Sequence, residues 1–285
     1  MTLLQILTLA IVQGAAELLP VSSSAHVIVA EKLMGLDPTA PEMTLLLVML
    51  HTGTMFAVLF FFWKTWKENF FSSREVFWET VKLIMAATVL TGAVGLALKF
   101  AIEKFFMKGI PHAEIELLFG NMTLISAALA AVGILILYAG IRSQTGSNSR
   151  VPLRMKESCL IGAVQGLCLP FRGFSRSGAT ISAGLLMGIS RQKLEAFSFA
   201  LAVVLTPPVI AREALRLLHQ QQVSSTASMA QVFMPSLLGM AFSFVAGLFA
   251  LKWLSSWLEN GRWPLFGLYC LVASATVFIL HKNGL

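Results

Sequence analysis

The chain has 285 residues, of which 56% belong to the apolar set AVILMFWYC and 12% are charged, and its mean hydropathy is +0.78. Soluble domains carry about 45–50% apolar and about 25% charged residues, so a water-soluble enzyme is excluded and an integral membrane protein is implied. The net charge of +7 is dispersed beside apolar runs, the pattern of membrane anchoring rather than of nucleic-acid binding, and at about 20 residues per crossing no separate catalytic domain fits.

In chain order, no Lys or Arg precedes Lys32, so the charged start of a cleaved signal peptide is lacking and the first apolar run is expected to stay in the mature fold. Residues 3–35 begin and end apolar but carry Gln13, Glu17, Pro20, Ser22, Ser23, Ser24 and His26 in their middle. Each arm is too short for a hydrocarbon core of about 30 Å, which predicts a re-entrant helical hairpin with a polar tip. Three long apolar stretches follow, about 43–63, 81–101 and 117–141, then the polar connector 144–150. Residues 157–188 repeat the hairpin plan around Pro170, Arg172, Gly173, Ser175, Arg176, Ser177 and Gly178. Three more spans, about 194–218, 231–254 and 263–281, complete the chain, with a second polar connector at 220–228. The expected architecture is all-α, six transmembrane helices plus two re-entrant hairpins. Irregular backbone at that depth must be buried in protein or line a wet cavity.

The two hairpins also resemble each other. Gln13-Gly14 is answered by Gln165-Gly166, Pro20 by Pro170, the serine run by Ser175-Arg176-Ser177, Met34-Gly35 by Met187-Gly188, and Glu42 by Glu195. Three crossings lie between the copies, so the second enters from the opposite face. The halves, about 1–141 and 153–285, read as an inverted repeat whose tips meet near the midplane. Loops near 64–82, 142–156, 191–193 and 252–262 carry twelve Lys and Arg against seven on the other face, Arg172 and Arg176 being left out as tip residues. That bias predicts the first face cytoplasmic and both termini outside. Cys159, Cys168 and Cys270 have no metal-ligand spacing and read as small apolar residues.

Ionisable groups at membrane depth are costly, at least about 2.5–3.5 kcal/mol each, which singles out Glu17, His26, Arg172 and Arg176. Gln13 and Glu17, four apart, share a helix face and are candidate cation ligands. They are too few for a metal cage, so a Mg²⁺ or Ca²⁺ would be shared with substrate phosphates. Ser23 and His26, three apart, have the spacing of a nucleophile and its base, with a water activated by His26 or Glu17 as the variant and a helix cap as the structural use of one of the serines. The second tip, with Ser175, Arg176, Ser177, Gly178 and Thr180, reads as a phosphate cradle: backbone N–H groups, a helix start and a planar guanidinium fork. Arg176 pairing with Glu17 as a structural bridge is the alternative. His51, on the first long span, is expected to bond a neighbouring helix rather than reach the tips.

At these residues the sequence resembles the bacterial undecaprenyl-diphosphatase family, membrane phosphatases linked to bacitracin resistance. Its (E/Q)xxxE motif is matched by Gln13 and Glu17, its PVSSxxH segment by Pro20, Val21, Ser22, Ser23 and His26, and its PGxSRSxxT motif by Gly173, Ser175, Arg176, Ser177 and Thr180. Arg172 stands where the last motif has proline, which leaves open whether it adds a second phosphate contact. The resemblance implies removal of the terminal phosphate of a polyprenyl diphosphate, undecaprenyl diphosphate, to recycle the carrier lipid of peptidoglycan synthesis. It further implies a divalent cation, and a multi-pass protein of the bacterial inner membrane with its active site toward the outer side. Glu17, His26, Ser23 and Arg176 would be catalytic. Membrane lipids are the other expected partners, nucleic acid is not, and association into a homo-oligomer is left open.

Two rival readings share part of this pattern. Paired re-entrant hairpins in an inverted repeat also describe a transporter or flippase of a lipid phosphate. A type-2 phosphatidic acid phosphatase, suggested by Ser24-Ala25-His26, needs a second His with an Asp four residues on. The next His after Arg176 is His219 and no Asp follows Asp37, so that reading is rejected.

Overall fold

The structure, a computed structural model, describes residues 1–36, 41–106, 118, 120–145, 151–221 and 229–283. The first hairpin is α1 (Leu3–Leu18) and α2 (Ser23–Leu33). Thr2 and Gln5 form a reciprocal capping box that starts α1, satisfying two of the N–H groups that a helix start leaves open. With 16 and 11 residues, the arms are about 24 and 16 Å long, and neither alone crosses a bilayer. The second hairpin is α6 (Met155–Cys168) and α7 (Arg176–Leu186), equally short.

Each hairpin turns where the sequence breaks the helix. Ser22 takes a left-handed backbone, φ 69°, which few non-glycine residues adopt. In the second turn Gly173 has φ +101°, and a Cβ there would lie 2.5 Å from the Ile125 carbonyl oxygen. Both its conformation and its closeness to the neighbouring helix require glycine.

The longer helices are α3 (Pro41–Asn69), α4 (Arg74–Ala101, followed by a π turn Ile102–Phe106), α5 (Met122–Thr145), α8 (Arg191–Gln221), α9 (Met229–Glu259) and α10 (Trp263–Lys282). Among the described residues, five are long and apolar enough to cross a membrane, within α3, α4, α5, α9 and α10. The sixth expected stretch, 194–218, lies inside α8, which has ample length at 31 residues but is more polar and holds Pro207 and Pro208. The connector 220–228 falls mostly outside the described residues, as does the start of the 117–141 stretch. Large apolar side chains such as Leu4, Phe60, Leu96, Phe249 and Val272 face outward, as a lipid-facing surface requires. The three cysteines are free thiols.

Helix pairing follows the repeat. Counterpart helices lie antiparallel: Ser126 near the start of α5 bonds Ser274 near the end of α10, while Gly140 meets Pro264 at the opposite ends. In the same sense Trp66 of α3 donates to the Ala196 carbonyl of α8 at 3.0 Å and Phe62 stacks on Phe199. The first arms each dock on a long helix of the other half, α1 on α9 and α6 on α4. The contacts are equivalent: a Cβ at Gly14 would meet the Ser243 carbonyl at 2.7 Å, and one at Gly166 the Thr91 carbonyl at 2.8 Å. Close backbone approach through small residues is the usual way helices associate in lipid.

Candidate active site

The two turns meet. Ser177 Oγ donates to the Leu19 carbonyl at 3.4 Å, and Arg176 Nη2, in the first turn of α7, donates to Glu17 Oε1 at 3.2 Å. Glu17 lies one residue before the end of α1, so the pair joins tip to tip. Each of the two side chains is 19% exposed, enough for a ligand to reach.

Glu17 is the hub. Its Oε2 accepts from Ser23 Oγ at 2.5 Å and from Gln13 Nε2 at 3.3 Å. The expected facing of Gln13 and Glu17 is present, one helical turn apart. His51 Nε2 lies 3.9 Å from the same carboxylate oxygen, with Nδ1 2.8 Å from the Leu47 carbonyl of its own helix. The expectation for His51 is therefore corrected: it reaches the first tip. Its helix is held in register by α9, where Ser243 Oγ donates to the Leu50 carbonyl at 2.9 Å.

Ser23 and His26 are not brought together. His26 Nδ1 is 2.7 Å from the Ser22 carbonyl, and Nε2 is 2.8 Å from the hydroxyl of Tyr269 on α10, with the rings stacked at 5.6 Å. A carbonyl only accepts, so Nδ1 carries the proton and, in the neutral ring, Tyr269 donates to Nε2. The reason is local: α2 opens at Ser23, and Ser22 sits at the cap position without a side-chain cap bond. The imidazole bonds back to the Ser22 carbonyl, which also accepts the His26 main-chain N–H at 3.4 Å, instead of to Ser23. The partner of the Ser23 hydroxyl is Glu17.

The cradle is likewise narrower than expected. Ser175 caps α7, accepting from Gly178 N–H at 3.2 Å, and lies 3.4 Å from Ser177 Oγ. Thr180 is fully buried; its hydroxyl donates to the Arg176 carbonyl at 2.8 Å and lies 2.7 Å from Ser198 Oγ. Gly178 packs against Ile136 and the Pro20 carbonyl. Ser177 and Gly178 therefore form the seam with the first tip, Ser175 and Thr180 are buried within the second hairpin and against Ser198 of α8, and of that segment the Arg176 guanidinium is what reaches the first-tip carboxylate. Arg172 lies within electrostatic reach of the buried Glu31 of α2, so part of its charge is answered by the protein.

Among the described residues no three His, Cys, Asp or Glu gather as a metal group. One carboxylate and one amide, Glu17 and Gln13, fit an oxygen-seeking cation that completes its shell with substrate oxygens and water, but not a cation held by the chain alone. Sequence reasoning missed Tyr269; the signal available was a tyrosine, one of two in the chain, inside an otherwise apolar span.

A family model described as bacitracin resistance protein BacA matches residues 6–276. The chain is 56% identical over 283 residues to undecaprenyl-diphosphatase 2 of Acinetobacter baylyi, covering 98% of each. It is 31% identical over 280 residues to the undecaprenyl-diphosphatase of Parabacteroides distasonis, 96% of each, and 29% identical over 280 residues to that of Halothermothrix orenii, 98% of each.

Proposed function

Because the chain belongs to the bacitracin resistance protein BacA family, we propose that it is a membrane phosphatase that cleaves undecaprenyl diphosphate to undecaprenyl phosphate and inorganic phosphate. This activity returns the carrier lipid to cell-wall synthesis and supports bacitracin resistance. The observation that carries the site assignment is the meeting of Ser23, Glu17 and Arg176 where the tips touch.

Arg176 binds the terminal phosphate: its fork has five N–H donors, more than one carboxylate oxygen engages. Ser23 Oγ attacks the terminal phosphorus while its proton moves to Glu17 Oε2, and the anhydride P–O bond breaks with its electron pair leaving on undecaprenyl phosphate. Water then displaces Ser23 from phosphorus as Glu17 returns its proton to the serine oxygen, and the proton shed by that water leaves with phosphate or solvent. His26, anchored on the Ser22 carbonyl, holds the turn that presents Ser23. Glu17 and Gln13 would hold a divalent cation, Mg²⁺ or Ca²⁺, together with the substrate; when bound, it offsets the charge of the diphosphate.

The halves 1–141 and 153–285 are read as inverted copies, which the antiparallel pairing of α5 with α10 and of α3 with α8 supports. The positive-inside count supports both termini on the outer face, and the family likeness is what suggests an active site open to that side of the inner membrane. All the groups invoked come from one chain, so the reading does not require a second copy.

The test is phosphate release by the purified protein in detergent with undecaprenyl diphosphate, with and without chelator. Release that the chelator suppresses is expected. Intact diphosphate after prolonged incubation with excess cation would sink the reading and favour a transporter, which cannot show its activity without two compartments.

A further inference from the structure

Resting on the phosphatase reading, we infer that Tyr269 is a positioning residue for that reaction: through His26 it holds the turn of the first hairpin so that Ser23 meets Glu17. The turn Pro20-Val21-Ser22 contains no glycine, and Ser22 takes its left-handed backbone, φ 69°, with no side-chain bond at the cap. A strained residue of this kind persists only where its surroundings over-determine it. Donors from three places take the carbonyls of this turn. Leu19 accepts from Ser177 of α7 at 3.4 Å, Pro20 from the Cys270 thiol of α10 at 3.4 Å, and Ser22 from His26 Nδ1 at 2.7 Å. The second turn is held differently, because Gly173 adopts φ +101° without strain and packs directly on the α5 backbone.

The bond from His26 is the shortest of the three and the nearest to the nucleophile, and its direction depends on Tyr269. In water the neutral imidazole carries its proton mainly on Nε2; in a protein the choice is set by the bond that the other nitrogen makes. Tyr269 donates to Nε2 at 2.8 Å, and the two rings stack with centroids 5.6 Å apart and 14° between their planes. The proton is thereby kept on Nδ1, aimed at the Ser22 carbonyl, and hydrogen bonds in such a chain reinforce one another. Ser23, the next residue, then donates to Glu17 at 2.5 Å. The phenol stands on a closely packed helix pair: two residues before it, a Cβ at Gly267 would lie 2.7 Å from the Gly133 carbonyl of α5. The serine near the start of the chain is thus oriented by a side chain 243 residues beyond His26.

Nitrogen NMR of the full chain in detergent with isotope-labelled histidine, at a pH where the ring is neutral, should show His26 as the Nδ1–H form. Tyr269→Phe keeps the stacked ring and removes the donor, so that preference should be lost. The same variant should turn over undecaprenyl diphosphate with kcat lowered about three- to tenfold, the worth of one net hydrogen bond. Its KM should be unchanged, because Arg176 is untouched. Tyr269→Leu, which also removes the stack, should lose more. A wild-type His26 with its proton on Nε2 overturns the assignment, and that spectrum decides even if neither variant folds. An unchanged tautomer or a wild-type kcat in folded Tyr269→Phe overturns it as well, and so does a KM that rises while kcat holds, which would make Tyr269 a substrate contact. A wild-type protein that releases no phosphate would defeat the phosphatase reading instead, while the two spectra still decide whether the phenol holds His26.

Discussion

Replacing Glu17 with Gln keeps the shape of the side chain and removes its charge. At 3.2 Å from Arg176, the pair attracts by about 5 kcal/mol at an effective dielectric near 20, much of it offset by desolvation. Removing one partner of a fully buried pair costs about 3–5 kcal/mol, and an exposed pair is worth about 0–1 kcal/mol. With each side chain 19% exposed, we expect a loss near 2 kcal/mol, which leaves the helical fold intact. The effect on chemistry is larger. The Gln amide still accepts a hydrogen bond from Ser23 but cannot take its proton, and loss of a general base costs roughly 10²–10⁴ in rate. Phosphate release by purified Glu17→Gln, measured beside its thermal unfolding midpoint, should therefore fall by at least about two orders of magnitude while the midpoint drops modestly. A folded variant with activity within about threefold of wild type would refute the role of Glu17 as the hub. A variant that unfolds outright would show that the pair is structural.

Arg176→Ala should abolish phosphate release with a folded yield like that of wild type, since charge-assisted hydrogen bonds to phosphate are worth about 1.5–3 kcal/mol each; retained turnover would remove Arg176 from the site. For Ser23, acid-quenched turnover followed by mass spectrometry should reveal a phosphoserine that Ser23→Ala lacks, and full activity of that variant would assign the attack to water. Gly173→Ala adds a Cβ 2.5 Å from the Ile125 carbonyl at a backbone of φ +101°, so it should lower stability by at least about 1–3 kcal/mol; an unaltered unfolding midpoint would mean that the second turn relaxes freely.

Much of the plan is legible in the sequence because its physical cause is local. Transfer of a side chain into hydrocarbon depends on that side chain and its near neighbours, so apolar length alone separates long helices from short arms. The break at Pro20-Val21-Ser22 and the one around Gly173 are chain-local, and the spacing of about 152 residues that relates Gly14 to Gly166 is visible without coordinates. Glu17 and Gln13, one turn apart, needed only helix geometry. The limit of that reasoning shows already at α8, whose crossing length is plain but whose polar face depends on what the helix packs against.

The membrane class, the two hairpins, the likeness of the halves and the few ionisable residues placed at depth all follow from the order of residues along the chain. Which of them touch depends on how the helices pack. His26 turned from Ser23 to Tyr269, 243 residues away; His51 came to Glu17 from another helix; and Ser177 went into the seam between the tips, with Ser175 and Thr180 buried behind it, instead of forming an open cradle. The reason is rotation about the helix axis. Sequence spacing fixes which residues share a face, but the direction of that face is set by close contacts with other helices, such as that of Gly14 with α9 and Gly166 with α4.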